Sequence, residues 1–535
     1  MVYYEGILKR ILNNEVNHMD LRETVIGIEF GSTRIKAVMT DKTFKPIASG
    51  DFEWENRLED GIWTYHYDEI ITGLQTCFSR LKDDVRQKFG MDLATTGAIG
   101  ISAMMHGYIP TDSSWNTLCA FRTWRNTITG EAAEKLTKLF DFNIPQRWCI
   151  SHLYQAILNK EDHVKDIAHV ETLASYVNRL LTGENSIGID DASGMFPIDS
   201  QKLDYNSAMA DKFLKLTGFD VRKVFPKVLV AGQSAGKLTK EGALLLDPEG
   251  KLQAGIPLAP PEGDAATGMA ATDAVRVNTG NVSAGTSDFA MIVTDRKLGV
   301  HREIDMVTTP SGEPVAMVHC NNCTTDINSW VNLFGEFAAK AGLEIDRNRL
   351  FTLLYSVSLE GRSDCGGLMS CNYYSGEGVT DFDGGLPFFI HRPDSQVNLA
   401  DFMRTHMMSA MATLKIGMDI LRAENVTIAK IFGHGGYFKT PVAGQRILSA
   451  AIGAPVSVME TAGEGGPYGM ALLAAYMIWN EGESLEDFLD NKVFNGARTQ
   501  TIMATDEEVR GFDAYIADYK KALEIERKAL EVFNA

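Results

Sequence analysis

Two acidic residues stand where a carboxylate needs a reason to be. Glu29 lies inside the apolar run Val25-Ile26-Gly27-Ile28-Glu29-Phe30, and Asp264 follows the stiff turn Pro260-Pro261-Glu262-Gly263. A carboxylate among apolar residues costs free energy unless it is paired or close to a metal. Glu29 therefore reads either as a partner of Mg²⁺ beside phosphates or as a solvent-facing strand position. Asp264 reads either as the N-cap of the Ala-rich helix after it or as a base that takes a proton from a hydroxyl nucleophile. Three Gly-containing turns each follow an apolar strand: Gly31-Ser32-Thr33, Gly285-Thr286-Ser287 and Gly433-His434-Gly435-Gly436. Small residues let backbone N–H groups and hydroxyls approach phosphate oxygens closely. None of the three is a GxxxxGK[ST] or GxGxxG loop, which argues against a Walker-type or Rossmann nucleotide site. Met105-His106-Gly107 follows a buried strand, the place where α/β sheets present ligands. Trp124-Arg125-Asn126 joins an aromatic platform to hydrogen-bonding groups, a mixture that suits a polyhydroxylated ligand. A structural histidine and an ordinary surface loop are the plainer readings of these two segments.

The elements that must position these residues follow from periodicity. Residues 25–30 and 35–39 are apolar strand-like runs joined by the first turn, which makes a hairpin, and 46–54 reads as a third strand. Residues 68–89 have a helical period, 98–102 reads as a buried strand, and helical segments dominate 128–181. From residue 275 the first pattern recurs: strand, Gly285-Thr286-Ser287, return strand. The two turns are about 250 residues apart, and each opens a half of similar size. A duplicated α/β architecture with a cleft between its halves accounts for that placement. The second half adds helices at 328–341 and 399–422, a strand at 430–432, a helix at 440–452, and a helix at 468–479 opened by the turn Ala462-Gly463-Glu464-Gly465-Gly466. Thr505-Asp506-Glu507-Glu508 is a capping-box pattern. Val509, Phe512, Ile516, Tyr519 and Leu523 then mark an amphipathic helix that either docks on the second half or forms a homodimer.

A chain of 535 residues is too long for one ordinary core. With 45% hydrophobic and 23% charged residues, it has the balance of a globular protein. Its 51 Lys and Arg against 70 Asp and Glu leave a formal net charge of -19, a field that repels nucleic acid and anionic lipid. Seven sparse cysteines argue for a reducing compartment. Cys320-Asn321-Asn322-Cys323 reads as buried thiols near a loop rather than a zinc site with His319. No apolar run is long enough to span a bilayer, and the first 20 residues lack the pattern of a secretory signal. The expectation is a cytoplasmic protein with no nucleic-acid or membrane partner.

Taken in order, these motifs resemble the FGGY carbohydrate kinases of the actin-like ATPase superfamily, over roughly residues 24–480. Ile28-Glu29-Phe30-Gly31-Ser32-Thr33-Arg34-Ile35-Lys36 is similar to the first phosphate motif, and Ser283-Ala284-Gly285-Thr286-Ser287 to the second. Gly100-Ile101-Ser102-Ala103-Met104-Met105-His106-Gly107 is similar to the substrate motif of xylulokinases. Leu181-Thr182-Gly183-Glu184 and Asp191-Ala192-Ser193-Gly194 match two further stretches. Gly263-Asp264-Ala265-Ala266-Thr267-Gly268 resembles the motif that carries the catalytic Asp, and Gly433-His434-Gly435-Gly436 the adenosine motif.

The resemblance implies two actin-like (ribonuclease H-like) α/β domains with a catalytic cleft between them. Residues 1–20 would be an N-terminal extension and 21–272 the sugar-binding domain. Residues 273–484 would be the ATP-binding domain, and 485–535 a helical extension packed on it. It implies ATP and Mg²⁺ as cofactors and a small sugar as substrate. Asp264 would be the general base, and Met105, His106, Trp124, Asn126 and Asp264 would contact the sugar. Gly31, Ser32, Thr33, Lys36, Gly285, Thr286, Ser287, Gly435 and Gly436 would hold the nucleotide, and Glu29 the metal. The chain departs from the family pattern in four places: Glu29 and Asn126 where Asp is usual, Ala265 where xylulokinases carry Asn, and a longer stretch at 433–440. The leading expectation is a ketopentose kinase that makes the 5-phosphate of D-xylulose or L-ribulose. A kinase for glycerol, erythritol or a hexulose, and a non-catalytic actin-like sensor of sugar or nucleotide, are the alternatives.

Overall fold

The computed structural model describes residues 20–459 and 465–533. The expected extension at 1–20 therefore lies outside the described residues except for Asp20, as do Ala462, Gly463 and Glu464 of the expected turn; its last two residues, Gly465 and Gly466, already belong to the helix that follows. The chain divides into two compact units. The first comprises Met1–Asp273, Val307–Glu313 and Glu464–Asn495, and the second Ala274–Met306, Pro314–Gly463 and Gly496–Ala535, in each case as far as these residues are described.

The first unit is built on a five-stranded sheet. Its strands are β1 (Thr24–Phe30), β2 (Arg34–Asp41), β3 (Pro46–Glu53), β4 (Ala98–Ala103) and the short β5 (Glu262–Gly263), in spatial order β5-β4-β1-β2-β3. β1 pairs antiparallel with β2 and parallel with β4, and β5 extends the parallel side. The central strand is apolar along almost its whole length because helices cover both faces of the sheet. Helix Tyr67–Phe89 buries the stripe Ile70, Leu74, Cys77, Phe78, Leu81 and Val85, whose three- and four-residue spacing gives one apolar face. Helix Gly465–Trp479 has no polar face at all, and it packs directly on β1. A Cβ on Gly27 would run into the carbonyl oxygen of Pro467, so this close approach needs glycine. Its contacts place this helix in the first unit, where its uniformly apolar surface finds its cover on β1 and β4.

The second unit repeats the plan. Its seven-stranded sheet includes β6 (Thr279–Ala284), β7 (Asp288–Val293), β8 (Pro314–Cys320), β9 (Lys430–His434), β10 (Val456–Met459) and β11 (Thr499–Ile502), which run in the order β8-β7-β6-β9-β10-β11. β6 pairs antiparallel with β7 and parallel with β9, as β1 does with β2 and β4. The duplication expected from two short turns thus extends to the pairing pattern of whole sheets. Helix Leu399–Ala423 is buried along most of its length through Met403, Met407, Met411 and Met418. Helix Asp506–Phe533 lays Phe512, Tyr515, Ile516 and Tyr519 into the same core. The capping box at its start forms: Glu508 N–H reaches Thr505 Oγ1 at 3.3 Å, and Thr505 N–H reaches Glu508 Oε2 at 2.9 Å.

All seven cysteines are unpaired thiols, Cys320 and Cys323 among the buried ones. Among the described residues no group of three or more His, Cys, Asp or Glu is placed to hold a metal ion. Among them, too, no helix is long and apolar enough to cross a membrane.

Candidate active site

In the first unit, β1 delivers Glu29 to the end of the sheet, one step before the exposed turn at Ser32 and Thr33. Glu29 sits opposite Lys36 in the β1–β2 register. Its carboxylate lies over Gly466, at the start of helix Gly465–Trp479, where the helix dipole favours negative charge. Burial pushes its pKa up to about 7, the neighbouring Asp264 adds to the rise, and Lys36 opposes it. Glu29 is the one residue of β1 that keeps partial exposure; the other six are buried.

Asp264 is the first residue of helix Asp264–Ala271, and Gly263, not Asp264, occupies the cap. The side chain is therefore not used as the N-cap. Instead, Oδ1 accepts the backbone N–H of Met105 at 3.2 Å, which ties the helix start to the end of β4. Burial raises the pKa of Asp264 to about 6, and that backbone N–H holds it from rising further. A carboxylate of this pKa is ionised at neutral pH yet basic enough to accept a proton in a transition state.

The Met105-His106-Gly107 segment turns sharply, with His106 at φ 70° and Gly107 at φ 103°. A non-glycine residue in that region is held there by its surroundings. His106 is buried; its Nδ1 lies 3.3 Å from the Gly194 carbonyl, and its Nε2 accepts from Arg147 Nε at 3.1 Å. These bonds fix the neutral tautomer with the proton on Nδ1. They also bring Arg147, which the sequence reading does not name, beside the segment. Trp124 is half-buried against the core of the unit. Asn126 is buried, and its amide is used inside the protein: Oδ1 accepts from Trp63 N–H at 2.8 Å, and Nδ2 donates to the carbonyls of Trp63 at 2.8 Å and Thr123 at 3.0 Å. Three further acids gather behind Asp264. Asp190, Asp191 and Glu262 are each at most 1% exposed, and burial raises the pKa of all three, that of Asp191 to about 8.

In the second unit, Gly285-Thr286-Ser287 joins β6 to β7, with Thr286 exposed. The Gly285 carbonyl accepts from Thr324 N–H at 3.0 Å and Thr324 Oγ1 at 2.6 Å, and the Thr286 carbonyl from Cys323 N–H at 2.9 Å. Gly435 follows β9 at φ 98° and ψ -178° and lies against Ala284, the last residue of β6. The turn at 433–436 is thus packed against the end of β6, the strand that leads into the turn at 285–287. His434 is kept neutral by burial, which lowers its pKa to about 4.

Sequence and fold comparisons agree on what kind of protein carries these two sites. A xylulose kinase of Haemophilus influenzae is 22% identical over 518 residues, 93% of this chain and 98% of that one. Two structures from Lactobacillus acidophilus superpose with a TM-score of 0.76 over 95% of this chain and 98% of theirs. One is a ligand-bound xylulose kinase at 15% identity, the other a gluconate kinase at 16%. Equal likeness to two kinases named for different substrates means that the fold alone does not select the sugar. Residues 24–269 match the N-terminal domain of the FGGY family and residues 280–478 its C-terminal domain, so this chain belongs to the FGGY family of carbohydrate kinases.

Proposed function

We propose that this kinase transfers the γ-phosphoryl group of ATP to the 5-hydroxyl of a ketopentose, D-xylulose or L-ribulose, with Asp264 as general base. The observation that carries this reading is the junction of Asp264 with the Met105-His106 segment: a carboxylate with its pKa raised to about 6 is held 3.2 Å from the Met105 amide. Asp264 takes the proton of the sugar hydroxyl as its oxygen bonds to the γ-phosphorus and ADP leaves. The sugar lies on Met105, His106 and Trp124, with Arg147 beside them. Asn126, whose amide is engaged by Trp63 and Thr123, shapes that wall rather than binding the sugar. Thr33, with Gly31, Ser32 and Lys36, and the second turn Gly285-Thr286-Ser287 are the phosphate cradles, and Gly435 and Gly436 lie against the adenosine. Little covalent chemistry falls to the protein in such a transfer; positioning and charge stabilisation do most of it.

Mg²⁺ suits the donor set. This ion is commonly held by one or two carboxylates together with substrate phosphates, and Glu29 is a carboxylate whose burial a cation would relieve. Glu29 would hold it directly or through water. When bound, Mg²⁺ supplies neutralisation of phosphate charge.

Asp264→Asn keeps the shape and removes the base. Its kcat should fall by about 10²–10⁴, with ATP and sugar affinity within about twofold. Turnover surviving within about twofold would remove Asp264 from the role. ADP release against D-xylulose, L-ribulose, D-ribulose, L-xylulose, glycerol and L-fuculose identifies the sugar. D-gluconate joins the panel because the Arg147 guanidinium beside His106 also suits a carboxylate.

A further inference from the structure

A phosphate cradle works only if its backbone amides face the ligand; Gly31 brings no side chain to enforce that, and those of Ser32 and Thr33 are exposed. The turn is held from behind instead. Trp54 donates its indole Nε1–H to the Gly31 carbonyl at 2.7 Å and its backbone N–H to the Thr33 carbonyl at 3.2 Å. Tyr65 donates its hydroxyl to the Ser32 carbonyl at 2.6 Å. The two rings stack with centroids 4.1 Å apart, and the edge of Phe30 packs on Trp54 at 5.9 Å. Trp54 is 7% exposed and Tyr65 1%, while Ser32 and Thr33 are exposed.

In a planar trans peptide the carbonyl of one residue and the N–H of the next point in opposite directions. Drawing the Gly31 and Ser32 carbonyls onto the aromatic pair therefore turns the Ser32 and Thr33 amides the other way. Among the described residues neither amide donates to a protein acceptor. We propose that Trp54 and Tyr65 are positioning residues that fix the first turn in its phosphate-accepting conformation, so that ATP meets amides already pointing outward. The inference rests on the reading of that turn as a phosphate cradle. Burial pushes the Tyr65 pKa up to about 12, so the hydroxyl remains a donor throughout the neutral range.

Tyr65→Phe keeps the stacked ring and deletes only the O–H. Calorimetric titration of the full chain with ATP and with adenosine tests it, since adenosine lacks the phosphates. In Tyr65→Phe the ATP Kd should rise about 5–10-fold, the scale of one lost buried hydrogen bond, with the adenosine Kd unchanged. A merely structural tyrosine would move both ligands together or neither, and either result overturns the proposal. Trp54→Phe, which removes the indole N–H, provides the same readout should Tyr65→Phe fold poorly. Thr33→Glu separates the two ideas by placing a negative charge at the cradle. If it weakens ATP more than tenfold while Tyr65→Phe and Trp54→Phe bind normally, the positioning inference fails and the cradle stands. If it leaves ATP binding unchanged, the cradle reading is lost and the inference with it.

Discussion

The two phosphate turns share a plan and differ in what holds and surrounds them. Each joins the central strand of its sheet to an antiparallel neighbour, and each has its carbonyls drawn inward. Behind the first turn stand two aromatic side chains, Trp54 and Tyr65. Behind the second stand the main chain of Cys323 and Thr324 and one hydroxyl. The strands diverge as well. Glu29 faces Lys36 across β1 and β2, whereas at the corresponding place in β6 and β7 Ser283 faces Phe289. A duplicated fold has kept the pairing of its turns while the acids beside them differ. The first unit carries Glu29, Lys36 and Asp264 beside its turn; the second carries Asp288 directly after its turn, buried, with Glu377 near it, and burial raises the pKa of both.

The anchoring half of this comparison is most sharply broken at glycine. Gly435 occupies a region of φ and ψ that is essentially closed to residues with a Cβ. An added Cβ would also strike the carbonyl oxygen of Ala284, which is main chain and cannot move aside. Gly435→Ala should destabilise the second unit by about 2–3 kcal/mol and weaken ATP binding more than tenfold. At Gly31 the nearest atom to a new Cβ is the Arg34 carbonyl oxygen at 3.0 Å, and φ is not positive. Gly31→Ala should stay within about 1 kcal/mol of the parent. Thermal unfolding and ATP titration of the two variants decide it, and greater damage at Gly31 would reverse the order of rigidity argued for the turns.

The strand–turn–strand units were legible in the sequence because apolar runs broken by Gly, Ser and Thr have few other readings, and their recurrence predicts the duplication. The Met105-His106-Gly107 segment was legible because it follows a buried strand. Other features have no local signal. Helix Gly465–Trp479 is apolar on all sides, so its composition could not say which sheet it covers. Arg147 reaches His106 from 41 positions away, and no spacing rule links them. Asn126 reads as a ligand group until the Trp63 main chain is seen to consume its amide. Trp54 and Tyr65 belong to different segments, and only the folded sheet brings both to one turn. Asp264 as an N-cap was a sound local expectation, overridden by the Met105 amide that claims its side chain.

The charge half of the comparison has a signature in pH. Asp191 accepts from Thr172 Oγ1 at 2.6 Å, and burial raises its pKa to about 8. A carboxyl whose pKa is raised on folding is stabilised in its protonated form. Its contribution is complete below the unfolded value near 4 and is lost as pH climbs through about 8. Over that window one such group steepens the loss by up to about 1.4 kcal/mol per pH unit. Calorimetric unfolding between about pH 5 and 8 should therefore show stability falling, and Asp191→Asn, which cannot ionise, should flatten the slope by about one group. An unchanged slope in the variant would mean that Asp191 is not among the acids that fold protonated.

The smallest expected effect tests the second turn where it is least dependent on side chains. Thr324 supports the Gly285 carbonyl twice, through its N–H at 3.0 Å and its hydroxyl at 2.6 Å, and Cys323 N–H supports Thr286 at 2.9 Å. Thr324→Val keeps the β-branched shape and the main-chain N–H and deletes only the hydroxyl. The Gly285 carbonyl keeps one donor, so no acceptor is left bare, and the cost should be at the low end for a hydrogen bond, roughly 0.5 kcal/mol. ATP affinity should weaken by less than about threefold, below the change expected for Tyr65→Phe, where the Ser32 carbonyl loses its side-chain donor outright. If Thr324→Val instead weakens ATP as much as Tyr65→Phe does, both turns depend on side-chain donors, and the contrast between an aromatic anchor and a main-chain anchor falls.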